Sequence, residues 1–120
     1  MSEPDIHLRK FQKELSAGTL SLALLAVLAQ AEEPLYGHLI AKRLERLEGV
    51  LRGKQSAVYP VLRNLEGAGL LQIHIEPSAS GPPRRYYRIT DSERDCLRDW
   101  TAAWRATRDS VDSVLEAIHV

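Results

Sequence analysis

Residues 56–67 read Ser-Ala-Val-Tyr-Pro-Val-Leu-Arg-Asn-Leu-Glu-Gly, and the rotation of this stretch decides the fold. At 100° per residue, with Val58 at zero, Val61, Leu62 and Leu65 fall within about 60° of it as a narrow apolar stripe. Ser56, Tyr59, Pro60 and Arg63 fall between about 100° and 200°, on the opposite side. The spacing predicts a helix from Ser56 to Gly67 that buries one face and presents hydroxyl, phenol and guanidinium groups on the other. Ser56 suits an N-cap, and Pro60 sits near the end of the first turn, where few backbone donors are committed. Gly67 and Gly69 end the helix.

Working towards the N-terminus, Tyr36 to Glu48 reads as a helix with Ile40, Leu44 and Leu47 on one face and Lys42, Arg43 and Arg46 outside it. Gly49 and Gly53 bracket the turn between these two helices. Thr19 to Ala31 is apolar nearly all round, the pattern of a buried central helix. Leu8, Phe11 and Leu15 give residues 4–15 a short amphipathic helix, which Gly18 is expected to end. In the other direction, Leu71, Ile73 and Ile75 alternate with Gln72, His74 and Glu76 as a half-buried strand. Pro77 to Pro83 reads as an exposed turn, and Arg84 to Ile89 as the returning strand, whose alternation buries one of Tyr86 and Tyr87. Three helices followed by a hairpin make a winged helix-turn-helix: an α+β fold, mostly helical, occupying residues 1–90.

Residues 91–120 read as one long C-terminal helix. Thr90 and Glu93 have capping-box spacing at its start, and Asp91 places a negative charge where the helix dipole favours one. Leu97, Trp100, Trp104, Thr107, Val111, Val114 and Ile118 recur at alternating steps of three and four, a seam of the coiled-coil type. A seam that the small domain cannot cover by itself predicts a homodimer, with Leu8, Phe11 and Leu15 assisting at the interface.

The charge distribution points to a partner. Sixteen Lys and Arg balance sixteen Asp and Glu over the chain. Between Tyr36 and Thr90, however, nine basic residues face four acids, a local net of +5 flanked by −2 and −3. A basic segment between acidic ones builds a one-sided positive field towards phosphate. Arg63 can fork onto O6 and N7 of guanine, and Ser56 or Tyr59 can bond a base or a phosphate. Lys54 and Gln55 lie beside them, and Arg84 and Arg85 border the wing turn, within reach of phosphate or the minor groove. Arg88 is expected to pair with a nearby acid. Winged-helix modules that bind only protein share the core pattern, but they do not need Tyr59, Arg63, Arg84 and Arg85 exposed together.

Two long motifs carry a family resemblance. Residues 59–66, Tyr-Pro-Val-Leu-Arg-Asn-Leu-Glu, followed by Gly69-Leu70-Leu71, resemble the recognition-helix signature of the PadR family of bacterial transcriptional regulators. Residues 81–90, Gly-Pro-Pro-Arg-Arg-Tyr-Tyr-Arg-Ile-Thr, resemble its wing. Gly18-Thr19-Leu20 and Pro34-Leu35-Tyr36-Gly37 match earlier landmarks, and Trp104 stands where members often carry a tryptophan in the dimer helix. The similarity runs from about Leu15 to Leu115 and is to the short subgroup with a single C-terminal helix. It implies a sequence-specific regulator of double-stranded DNA that binds a palindromic operator. The expected role is that of a repressor released by a small aromatic effector at Trp100 and Trp104. Tyr36, His38, Lys54, Gln55, Ser56, Tyr59, Pro60, Arg63, Arg84 and Arg85 are the expected DNA contacts. His38 departs from the family's usual Tyr but keeps an N–H to donate. Glu93 departs from its usual Gly.

Other classes fit poorly. The four histidines, His7, His38, His74 and His119, are scattered and Cys96 is the one cysteine, so no metal-ligand spacing is present. There is no Gly-rich phosphate loop and no nucleophile elbow, so neither an enzyme nor a cofactor is expected. The longest apolar run, Leu20 to Ala29, is short for a bilayer span, no signal-type stretch opens the chain, and a cytoplasmic location is expected.

Overall fold

A computed structural model describes residues 3–47 and 55–118. Within them the order is α1 (Glu3–Gln30), β1 (Leu35–Tyr36), α2 (Gly37–Glu45), α3 (Gln55–Gly67), β2 (Gln72–Ser78), β3 (Gly81–Arg88) and α4 (Asp91–Ile118). This is the mostly helical winged helix-turn-helix expected from the sequence, with differences that have identifiable causes.

The first difference lies in α1. The two helices expected on either side of Gly18 are one continuous helix of 28 residues. A glycine inside a helix costs only about 1 kcal/mol relative to alanine, and the flanking hydroxyls are accommodated within the helix. Ser16 Oγ donates to Lys13 O (3.1 Å) and Thr19 Oγ1 to Leu15 O (2.8 Å). Among the described residues, α1 is the one helix long and apolar enough, by length and composition, to cross a bilayer. That revises the argument from the Leu20–Ala29 run, although four leucines of that run are buried inside the fold. Leu20, Leu24, Leu25 and Leu28 are buried in a single cluster with Ile40 and Leu44 of α2, Val58, Leu62 and Leu65 of α3, and Tyr87 of β3. α1 is thereby the central helix of the core.

The second difference is the sheet. Tyr36, read from sequence as the start of a helix, and Leu35 before it pair antiparallel with Tyr86 and Tyr87, giving a three-stranded sheet of order β1-β3-β2. β2 and β3 also run further than expected. Ala79 and Ser80 alone form the turn, and Pro77, Pro82 and Pro83 lie within strands. The register shifts between Glu76 and Ser78, so the extra length is accommodated by an irregularity at Pro77. Leu71 is buried just before β2 and Ile73 partly so, whereas Ile75 is exposed, because the hairpin has by then left the helices behind. Of the tyrosine pair it is Tyr87 that is buried.

The third difference concerns α4. Its first turns lie against α1, and Leu97 and Trp100 pack on the core cluster of their own chain. These two residues are therefore partly covered within one protomer, and the rest of their surface stays accessible. Arg94 Nη2 donates to Ala29 O (3.2 Å) and places a positive charge at the C-terminal end of α1, whose last turn has no basic residue. The expected capping box is replaced by a chain of side chains, with Thr90 and Ser92 hydroxyls 3.1 Å apart and Ser92 Oγ donating to Glu93 Oε2 (2.7 Å). Beyond Trp104 the helix leaves the domain. Val111, Val114, Leu115 and Ile118 are exposed, Val114 to 67%, as are Ile6, Leu8, Phe11 and Leu15 on α1. The radius of gyration, 16.7 Å, exceeds the roughly 14 Å of a compact chain of this length. A 28-residue helix about 42 Å long accounts for the excess.

Candidate nucleic-acid interface

α3 is rotated as its pattern dictates: Val58, Leu62 and Leu65 are buried, and Ser56, Tyr59, Pro60 and Arg63 are exposed. Pro60 lies within α3, in its second turn and not its first, so one intrahelical hydrogen bond is forgone there. The N-terminus of α2 and the hairpin approach this exposed face from either side. Between them is a cavity of about 580 Å³ lined by Tyr36, Gly37, His38, Tyr59, Arg63, Glu66, Pro83, Arg84, Arg85 and Tyr87.

Gly37 sets the distance between α2 and α3. A Cβ at this position would lie 2.5 Å from Tyr59 Cε1 and 2.9 Å from its Cζ. Only glycine lets the phenol ring come this close to the start of α2. Tyr36, the residue before it, is the N-cap of α2, with extended φ −90° and ψ 162° and no side-chain capping bond. No side chain among the described residues caps the first backbone N–H groups of α2, and a helix N-terminus favours an anion.

Tyr36 also organises the base of the wing. Its ring stacks on His38 (centroids 6.3 Å apart, 21° between planes) and meets Tyr86 edge-on at 5.6 Å. The Arg84 guanidinium lies 4.6 Å above the same ring, held by the π face with its N–H groups still available. Arg85 is engaged differently. Its Nη2 donates to both carboxylate oxygens of Glu66, the contact to Oε2 being 2.9 Å. The Tyr87 side chain and Glu66 favour the charged guanidinium and raise its pKa, so it stays protonated at any working pH. Arg88 finds a neutral amide and not an acid: its Nε donates to Gln72 Oε1 at 2.9 Å.

The structure therefore gathers Tyr36, His38, Tyr59, Arg63, Arg84 and Arg85 around one cavity. Pro60 is exposed on α3 outside it, and Ser56 faces a separate cleft with Arg9, Gln12 and Lys13 of α1. Lys54 lies outside the described residues, and of Gln55 only the backbone, at the start of α3, is described. Gly37, Glu66, Pro83 and Tyr87 line the cavity without having been singled out from the sequence. Glu66 is three residues beyond Arg63, a spacing that suggests a pair within α3. Its actual partner, 19 residues away, has no local signal. A second, more apolar cleft of about 550 Å³ lies between α1 and α4, where Leu15, Gly18, Thr19 and Leu22 face Trp100, Trp104 and Thr107. Trp104 is 38% exposed there.

A model of the transcriptional regulator PadR-like family matches residues 24–99, which span the core, the cavity and the first turns of α4. The chain belongs to this family. A PadR family transcriptional regulator from Eggerthella lenta is 34% identical, with a TM-score of 0.72 covering 93% of this chain and 95% of its own. A PadR-like regulator from Bacillus cereus is 25% identical, with a TM-score of 0.67 over 85% and 96% of the two chains. One from Clostridium difficile is 26% identical, with a TM-score of 0.62 over 79% and 96%. As a PadR-like protein the chain is a DNA-binding transcriptional regulator and not an enzyme. Among the described residues no group of three or more His, Cys, Asp or Glu is placed to hold a metal ion.

The Gly37 contact gives the first prediction. In Gly37→Ala the added methyl displaces the half-exposed Tyr59 ring, which can swing into solvent at little cost to the core. Thermal unfolding followed by circular dichroism is expected to move by no more than a few degrees. Duplex affinity, read by fluorescence anisotropy, is expected to fall about tenfold, which corresponds to about 1.4 kcal/mol.

Proposed function

We propose that the protein is a homodimeric repressor that occupies a near-palindromic operator in the cytoplasm, with Tyr59 and Arg63 entering the major groove and Arg84 meeting phosphate from the wing. The observation that carries this reading is the convergence on one cavity of the free N-terminus of α2, the polar face of α3 and the wing. Each supplies N–H donors or positive charge on the same side of the molecule. Tyr36 and His38 line that side as well, and Ser56 and Pro60, exposed on α3, are further proposed contacts together with Gln55 and Lys54, which precede them in the sequence. Arg63 has no side-chain partner among the described residues, so its five donors are available to a base edge. Two-fold symmetry requires matching half-sites, about one helical turn apart if the two copies of α3 enter successive grooves.

Once an operator has been selected from a random duplex pool, Arg63→Ala is expected to cost about 1–3 kcal/mol and to relax the preference at one base position. Arg84→Ala is expected to weaken all sequences alike and to reduce the salt slope by about one. Unchanged binding in Tyr59→Ala, Arg63→Ala together would reject this interface and favour a winged-helix module that binds only protein.

The dimer is supported by the exposed apolar residues at the far end of α4 and along the first half of α1, which one protomer leaves uncovered. Val111, Val114 and Ile118 continue the seam that begins at Leu97 and Trp100, with Trp104 and Thr107 between, and Leu8, Phe11 and Leu15 line the neighbouring helix. Sedimentation at micromolar concentration is expected to give twice the 13.5 kDa chain mass. A monomer would contradict it.

The α1–α4 cleft is the proposed effector site. Indole faces suit flat aromatic or cationic ligands, and the apolar walls of the cleft offer little to a polar one. A ligand there relieves repression only if it binds the DNA-free arrangement more tightly than the DNA-bound one. Tryptophan fluorescence titrated with phenolic acids, flavins and cationic dyes is expected to be quenched saturably by at least one class. The quenching should be lost in Trp104→Ala. Quenching that survives removal of Trp100 and Trp104 would place the ligand elsewhere.

A further inference from the structure

The adjacent arginines of the wing point to opposite sides of β3 and have different partners. Arg84 shares its side with Tyr86 and lies over the ring of Tyr36, with no carboxylate engaged among the described residues. Arg85 shares its side with the buried Tyr87 and reaches across to α3, where Nη2 donates to both oxygens of Glu66. Glu66 stands one helical turn from Arg63 on α3, yet it engages the arginine of the wing and leaves that of its own helix free. Among the described residues this is the one side-chain hydrogen bond or ion pair that joins α3 to the hairpin. Both side chains are partly exposed, so the pair adds little to global stability. Its consequence is local: it ties a two-stranded arm, which extends beyond the core from Ile75 onward, to the helix that reads bases.

We propose that the Glu66–Arg85 ion pair is a strut that persists in the DNA complex, fixing where Arg84 meets phosphate relative to where α3 meets bases. Arg85 is then a positioning residue and not a phosphate ligand, and Glu66 is a specificity-determining residue although it touches no DNA. The inference rests on the proposed roles of α3 and Arg84, and it deepens them. A phosphate contact positions a protein on the duplex, while a base contact specifies the sequence. Holding the two in fixed register makes a wrong sequence cost both. With the strut cut, the wing finds phosphate wherever α3 lies, and discrimination falls while non-specific binding stays.

The test compares Arg85→Ala, Glu66→Ala and the charge swap Glu66→Arg, Arg85→Glu in the full chain, using the selected operator, a scrambled duplex and amide hydrogen exchange of the free protein. A phosphate ligand contributes about 0.9 to the salt slope. Arg85→Ala is expected to leave that slope unchanged, to reduce the operator-to-scrambled ratio about tenfold and to speed amide exchange at positions 81, 84 and 85. Glu66→Ala is expected to lose the same discrimination and speed the same amides, while binding the scrambled duplex more tightly because Arg85 is released to it. The charge swap is expected to restore slow exchange and most of the ratio. A slope reduced by about 0.9 in Arg85→Ala, or wing exchange unchanged in both single variants, overturns the strut. Absence of salt-dependent duplex binding by the unaltered protein would instead defeat the DNA interface itself, and the exchange measurement would still decide whether the strut exists.

Discussion

Leu20, Leu24, Leu25 and Leu28 of α1 are buried against Ile40 and Leu44 of α2 and against Val58, Leu62 and Leu65 of α3. Each fully buried leucine contributes about 1.5–3 kcal/mol, and among the described residues the buried side chains of α3 belong to this one cluster. The rotation of α3 follows from that packing. Once Val58, Leu62 and Leu65 face α1, Tyr59 and Arg63 can only face outwards, and Gly37 brings the start of α2 against the Tyr59 ring. Tyr87 ties the sheet into the same core, so the wing is rooted where α3 is rooted. The placement of polar groups outside is thus a consequence of apolar packing inside.

What the protein presents on that side is free donors and positive charge on a chain with no net charge. The start of α2 and Arg63, which have no side-chain partner among the described residues, and the π-held Arg84 sit around one cavity, and the acids that balance the total lie mostly in the first 35 and last 30 residues. Separating the signs in this way gives attraction to phosphate where the groove-entering helix is, without a globally basic protein. Glu66, the acid that lines the cavity, is neutralised by Arg85.

The sequence was most legible where one physical requirement dominated. α3 has a narrow apolar stripe and no competing pattern, and its buried and exposed faces follow from helical period alone. The hairpin's existence followed from alternation, and so did the burial of just one of Tyr86 and Tyr87. The helix break expected at Gly18 did not follow, because a glycine weighs little against the leucines on either side. Wing length was misjudged because proline marks a turn in isolation but is tolerated where the strand needs no ladder donor, as at Pro77, Pro82 and Pro83. The two-residue strand Leu35–Tyr36 is too short to carry a period. The seam in α4 is visible as spacing, yet spacing cannot say how much of each residue its own chain already covers, and Leu97 and Trp100 are partly covered in this way. The Glu66–Arg85 pair joins elements 19 residues apart and depends on how the hairpin leans, which no local pattern encodes.

The central claim is that the face formed by the start of α2, α3 and the wing is the surface that meets DNA. The most direct measurement is a titration of ¹⁵N-labelled protein with duplex DNA at low salt, following backbone amide shifts, since it needs no knowledge of the operator. Shifts concentrated in residues 36–39, 55–63 and 81–85, with the far end of α4 unmoved, are the result this account predicts. Shifts confined to α1 and α4, or none at a duplex concentration where the protein is demonstrably folded, would contradict it.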